Sequence, residues 1–197
     1  MQENEEWIIE FRPTVSYLEM ARSFLRVQYN DNGNDEAFKN TIFSLIANTY
    51  IFSYLSIFSF IQSVLIVFWN KKNSPLKNDF PKANSFEHLM NSDLREAKEA
   101  IKELCKILHI QPLHEKNQKL WNDLLQIVKE VRHYLEHIKF DEESTKILDK
   151  ALSEKSWNFA SKTAEEVIKY FYTETNKEVP EWLIENKNFK VEKITIY

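Results

Sequence analysis

The sequence predicts an all-α protein, an up-and-down bundle of about five to six helices, and three observations carry that expectation. The 197-residue chain holds a single glycine, Gly33. Hairpins and phosphate-cradling loops depend on glycine for positive φ, so its scarcity disfavours strands and removes P-loop and dinucleotide fingerprints. Apolar residues recur at three- and four-residue spacing through most of the chain, the period of a helix with one buried face. Finally, the 31 residues from Asn40 to Asn70 include no charged side chain, and they read as most of one very long helix.

The elements follow in order. Thr14, after Pro13, is expected to cap a first helix through YLEMARSFLRVQY, with Tyr17, Met20 or Ala21, and Phe24 or Leu25 on one face. Asn30–Asp35 reads as a turn around Gly33, with Asn34 or Asp35 as the next cap. The long helix then runs to about Asn70. Lys71–Asn84, with Pro75 and Pro81, is expected to be a loop. A third helix is expected from near Ser92 to before Pro112, and a fourth from about His114 to Ile138. The fourth buries Leu120, Leu124, Ile127 or Val128, Val131, Leu135 and Ile138. A short helix should follow FDEES, and Ser156 should open the amphipathic WNFASKTAEEVIKYFYTET. Pro180 restarts the chain as PEWLIEN. At the ends, WIIEF (Trp7–Phe11) and KITIY (Lys193–Tyr197) have strand composition, so a small two-strand ribbon joining the termini is the secondary expectation.

Composition narrows the function classes. Hydrophobic residues at 43% and charged residues at 28% are ordinary for one folded domain with a real core. A formal net charge of −4 disfavours strong non-specific binding to nucleic acid, although a local basic patch stays open. Cys105 is the sole cysteine, which removes a disulfide framework and a thiolate-rich metal site. It adjoins a stripe of Leu94, Ala97, Ile101, Leu104 and Leu108, so it reads as a small core residue. The acidic start MQENEEW is unlike a targeting peptide, and the cytoplasm is the expected location.

The charge-free helix is long enough to span a bilayer, which takes ~20 apolar residues. At ~100° per residue its side chains segregate. Ser44, Asn48, Thr49, Ser53, Ser56, Ser59, Gln62 and Ser63 occupy one half, and the large apolar side chains the other. Eight polar side chains would be costly against lipid. A bundle helix fits better, with one face in the core and a small-residue face against a second partner, as in a dimer seam.

The chemistry-bearing stretch is RHYLEH, Arg132 to His137, and it supports three readings. Arg132 and Glu136 stand four apart, able to form a surface ion pair worth ~0.3–0.5 kcal/mol. His133, Glu136 and His137 form H-x-x-E-H, the spacing of inverted zinc peptidases. That reading needs a third protein ligand, and the 60 residues after His137 are fewer than such enzymes use before supplying it. Arg132 and His137 form the third pair. Five residues on an unbroken helix separate two side chains by ~140° and ~7.5 Å, so they converge only if the helix ends near His137 or a second copy supplies the opposing pair.

Arg-polar-x-x-x-His near the end of a helix, in a small glycine-poor bundle, resembles the signature of the HEPN superfamily. Arg132, His133 and His137 match it position by position. A long apolar helix before the motif and an amphipathic helix after it agree. WNFASKTAEEVIKYFYTETNKEVPEWL is also similar to the ending of some bacterial HEPN-type proteins. The resemblance implies a single HEPN-like helical domain over residues 1–197, its core bundle at about 14–175. It implies a homodimer whose paired motifs form a metal-independent endoribonuclease, of a toxin–antitoxin or antiviral defence system. RNA is then the substrate, an antitoxin or regulatory protein a further partner, and no cofactor is needed. Arg132 and His137 are the implied catalytic residues and His133 the implied binding residue. The alternative is a non-catalytic HEPN-like module that binds a protein or nucleotide.

Overall fold

The computed structural model describes residues 12–24, 36–136 and 159–184, and every regular element among them is helical. They are α1 (Arg12–Phe24), α2 (Glu36–Trp69), α3 (Pro75–Asp79), α4 (Phe86–Asn91), α5 (Ala97–Ile107), α6 (Leu113–Lys116), α7 (Gln118–Glu136) and α8 (Phe159–Glu174), followed by a 3₁₀ turn at Glu181–Leu183. The protein is all-α, as its glycine content and apolar spacing predict. The Gly33 turn, the short helix after FDEES, the Ser156 start and both terminal strand candidates lie outside the described residues.

Side-chain contacts fix the direction of the longer helices. The Thr14 hydroxyl donates to Ser59 Oγ at 3.3 Å, and the Tyr17 ring stacks on Phe52 at 6.1 Å. Rising numbers on α1 meet falling numbers on α2, so the two are antiparallel. Tyr50 meets Phe159 at 6.4 Å, whereas Phe60 meets Phe171 at 5.7 Å and Tyr172 at 5.9 Å, so α8 runs parallel to α2. The start of α7 is tied to the end of α8. The Tyr170 hydroxyl donates to the Gln111 carbonyl, and Lys116 Nζ lies 2.6 Å from Glu174 Oε2. Because α7 and α8 pack on each other, they run in opposite directions. In chain order α1, α2, α7 and α8 thus alternate.

The two halves of α2 are both used inside this chain. On the apolar half Ile57, Ile61, Val64 and Leu65 are fully buried, with Phe60 between them and the serines. On the serine half Thr49, Ser53, Ser56 and Ser63 are also buried. The close partner which that face calls for is α1, whose most extensive packing is on α2. Small side chains let the two backbones approach, and three of the four buried hydroxyls are satisfied locally: Ser56 donates to the Ser53 carbonyl at 2.8 Å, Thr49 to the Leu45 carbonyl at 2.9 Å, and Ser63 to the Ser59 carbonyl. On α1 itself the buried positions are Thr14, Leu18, Ala21 and Arg22, while Met20 is 42% exposed. Thr14 lies within the helix, so its role is a buried contact to α2 and not the expected cap.

The expected loop at 71–84 contains structure. Ser74 accepts a hydrogen bond from Lys77 N, and Pro75 opens α3, which makes Ser-Pro here a helix start. Ser85 caps α4 in the same way through His88 N. Ser92, expected to open a helix, ends α4 instead, and α5 begins at Ala97. The expected helix from His114 is broken at Asn117, whose side chain accepts from Leu120 N and starts α7 afresh. Helix ends that usually take glycine are closed without it. His109 (φ 54°) and Asn176 (φ 52°) adopt the left-handed conformation after α5 and α8. The amides of Ile110 and Lys177 reach back to the carbonyls of Cys105 and Tyr172.

Phe60, with Phe171 one of the two largest fully buried side chains among the described residues, packs against two rings of α8. Phe60→Ala is expected to cost about 3–5 kcal/mol and lower Tm by roughly 10 °C. Met20→Ala, on the exposed side of α1, should stay within about 0.5 kcal/mol. Thermal denaturation followed by circular dichroism checks both, and equal effects would contradict the assigned core.

Candidate functional site

The motif-bearing helix is anchored at its N-terminal half. Leu120, Trp121, Leu124 and Ile127 of α7 are buried, with Leu125 and Val128 half-buried against the core. The helix packs on both α2 and α8. The His114 ring leans on Trp121 at 5.5 Å and fixes α6 against the first turn of α7. From that anchor α7 continues to Glu136 and carries Arg132 and His133 on its last five residues. Its direction takes this end away from the α8 terminus at Glu174 and towards the end of the bundle where Tyr50 meets Phe159. His137 lies outside the described residues, so the convergence of Arg132 with His137 and the H-x-x-E-H ligand set are not part of the described geometry. Among the described residues no group of three His, Cys, Asp or Glu side chains could hold a metal ion.

Sequence reading missed the buried charge of α1. Arg22 Nε donates to Glu165 Oε1 at 2.9 Å, and Nη1 donates to Glu19 Oε1 at 2.7 Å. The same guanidinium donates to the carbonyls of Trp182 at 3.0 Å and Leu183 at 3.4 Å. One side chain thus joins α1, α8 and the 3₁₀ turn. Burial opposes its charge, but the hydrogen bond and charge of Glu165, then those of Glu19, outweigh burial and hold Arg22 above its ordinary pKa. The only sequence signal was position: Arg22 follows Leu18 and Ala21 at helical spacing, on the edge of an apolar stripe.

Other reactive side chains are structural. Cys105 is buried in the core, and desolvation pushes its thiol pKa up, so it is a poor nucleophile. Burial likewise raises the pKa of Tyr170, whose hydroxyl holds the α5–α6 connection through Gln111. Desolvation raises the Glu103 carboxyl against the opposing charge of Lys106, which stands 3.6 Å away and bonds Asp79 at 2.8 Å.

Arg22→Ala strands Glu165 without its buried cation. The expected cost is about 3–5 kcal/mol, most of it recovered when Arg22→Met is combined with Glu165→Leu. Chemical denaturation of the single and double variants checks this, and a single variant as stable as the parent would contradict it.

Comparison with protein-family models, curated proteins and solved structures gives no match.

Proposed function

We propose that the chain is a metal-independent endoribonuclease of HEPN type, acting as a homodimer in a toxin–antitoxin or antiviral defence system. The reading rests on the Arg132-His133-x-x-x-His137 sequence motif, whose first two residues end a core-anchored helix of an all-α bundle. RNA cleavage without a metal needs three things. A base takes the 2′-OH proton, a cation stabilises the phosphorane, and an acid protonates the leaving 5′-oxygen. The 2′-oxygen forms a bond to phosphorus as the 5′-oxygen bond breaks, leaving a 2′,3′-cyclic phosphate and a 5′-hydroxyl.

Histidine titrates near neutrality and serves as either base or acid. Arginine keeps its charge and offers a fork that matches phosphate. In a dimer, one His137 acts as base and the other as acid, Arg132 holds the phosphate, and His133 orients the pair or contacts phosphate. On an unbroken helix five residues would separate Arg132 from His137 by ~140°, so the reading needs the helix to end near His137 or the second copy to supply the opposing groups. One observation favours a second reading, a non-catalytic module that binds a protein or nucleotide. Asp141, Glu142 and Glu143 begin four residues after His137 and would repel an RNA backbone.

The test is purified protein incubated with mixed cellular RNA in EDTA, beside Arg132→Ala and His137→Ala. The parent should leave 2′,3′-cyclic phosphate ends, and each substitution should stop cleavage while the helical circular dichroism is retained. Sedimentation should give about twice the 23.6 kDa of one chain. Cleavage by both variants at the parent rate would overturn the catalytic assignment, and a monomer mass at micromolar concentration would overturn the shared cleft. An intact RNA pool with a folded parent would favour the binding module.

A further inference from the structure

The end of the bundle opposite the α7 terminus has its own chemistry. Residues 70–86 hold four lysines, Lys71, Lys72, Lys77 and Lys82, and one acid, Asp79, in a chain of net charge −4. Asp79 is engaged by Lys106 at 2.8 Å, with Glu103 beside them at 3.6 Å from Lys106 Nζ, and Glu87 on α4 is the nearest further acid in sequence. Lys72, Lys77 and Lys82 are exposed. Directly before them α2 exposes two aliphatic side chains, Ile66 at 36% and Val67 at 40%. Lys77 Nζ lies 5.2 Å from the ring centre of Trp69, which follows Ile66 by three residues on α2, so this lysine stands on the Ile66 side of the helix end, with Val67 about 100° further round. Lysines at 71 and 72 also complement the carbonyl end of α2, but that helix-end effect fades within a turn and does not reach Lys77 or Lys82.

We propose that this corner is a peripheral docking surface for an anionic lipid bilayer. Lysines beside exposed aliphatic side chains suit a surface that is negative at its headgroups and apolar just beneath them. Single-stranded nucleic acid would use the positive charge equally well, but it gains its base affinity by stacking on aromatic rings. Here the two rings at the end of α2 are buried, and Phe80 and Phe86 are half-buried against the core. Phe68 and Trp69 are each 8% exposed, and Lys71 covers Phe68 at 4.0 Å as Lys77 covers Trp69. The apolar groups presented are Ile66 and Val67, which insert into lipid and do not stack. The contact is made by the tip of α2 with the helix held in its bundle, and it requires no span.

The experiment is co-sedimentation of the full chain with vesicles of phosphatidylcholine containing about one quarter phosphatidylglycerol, at ~0.1 M salt. The chain should bind these vesicles, bind pure phosphatidylcholine vesicles far less, and dissociate as salt rises. Lys72→Gln, Lys77→Gln and Lys82→Gln should each weaken binding about fivefold, equivalent to ~1 kcal/mol per lysine. Ile66→Ser with Val67→Ser should weaken it further, and all of these exposed sites leave the thermal transition in place. No binding, equal binding to both vesicles, or binding unchanged by the lysine substitutions would overturn the proposal. So would lysine-dependent binding to a single-stranded RNA oligonucleotide in the absence of vesicle binding.

Discussion

A helix of 34 residues whose last 30 include no charge must be covered on more than one side, and the rest of the described fold answers that requirement. α1 lies against the serine half, where small side chains shorten the distance between backbones and back-bonded hydroxyls remove the cost of burying them. Among the described residues Ser53 Oγ is the exception on that face, a buried hydroxyl without a hydrogen-bond partner. α8 lies against the Phe60 side, and α5 and α7 complete the core around Ile61, Leu65, Leu104 and Leu124. The composition of Ala47–Trp69 would permit a membrane crossing, yet half of its most apolar window is buried by the protein's own helices.

Covering α2 creates the other strong interaction. With α1 and α8 both packed on α2 and on each other, Arg22 is enclosed and must find acceptors within reach. Glu165, Glu19 and two carbonyls of the 3₁₀ turn supply them. The pair determines how α1 and α8 sit together more than how stable they are, because the desolvation of two charges offsets much of their attraction. The alternation of α1, α2, α7 and α8 also separates the two ends of the bundle. The Arg132-bearing end of α7 lies towards one, and the lysine corner at the end of α2 occupies the other. Catalysis on RNA and attachment to a surface, if both operate, would not compete for the same residues.

Most of the fold was legible because its strongest signals are local. One glycine, the stripe through Leu120, Leu124 and Ile127, and the two-faced pattern of α2 each follow from helical period alone. What escaped depended on tertiary context or on capping chemistry. Ser74-Pro75 reads as a breaker by its proline, but a serine cap followed by proline is a good helix start. Arg22 is buried against expectation because a carboxylate of α8 meets it, and of the alternatives Met20 and Ala21 it is Ala21 that faces the core while Met20 is 42% exposed. The serine face correctly signalled a close partner and could not say which helix would fill it. Of the candidate site, the sequence supplied Arg132, His133 and His137, and α7 carries the first two as neighbours near its end. Whether a second copy completes the set is a property of two chains, which no spacing within one chain encodes.

The central claim, that α2 is the strut on which the other helices depend, is tested most directly by native-state hydrogen exchange in detergent-free buffer. If it is correct, the amides of Ser53 to Leu65 exchange only through global unfolding, with an opening free energy equal to the denaturant value. Exchange of those amides through local opening, faster than the amides of α5 and α8, would contradict it.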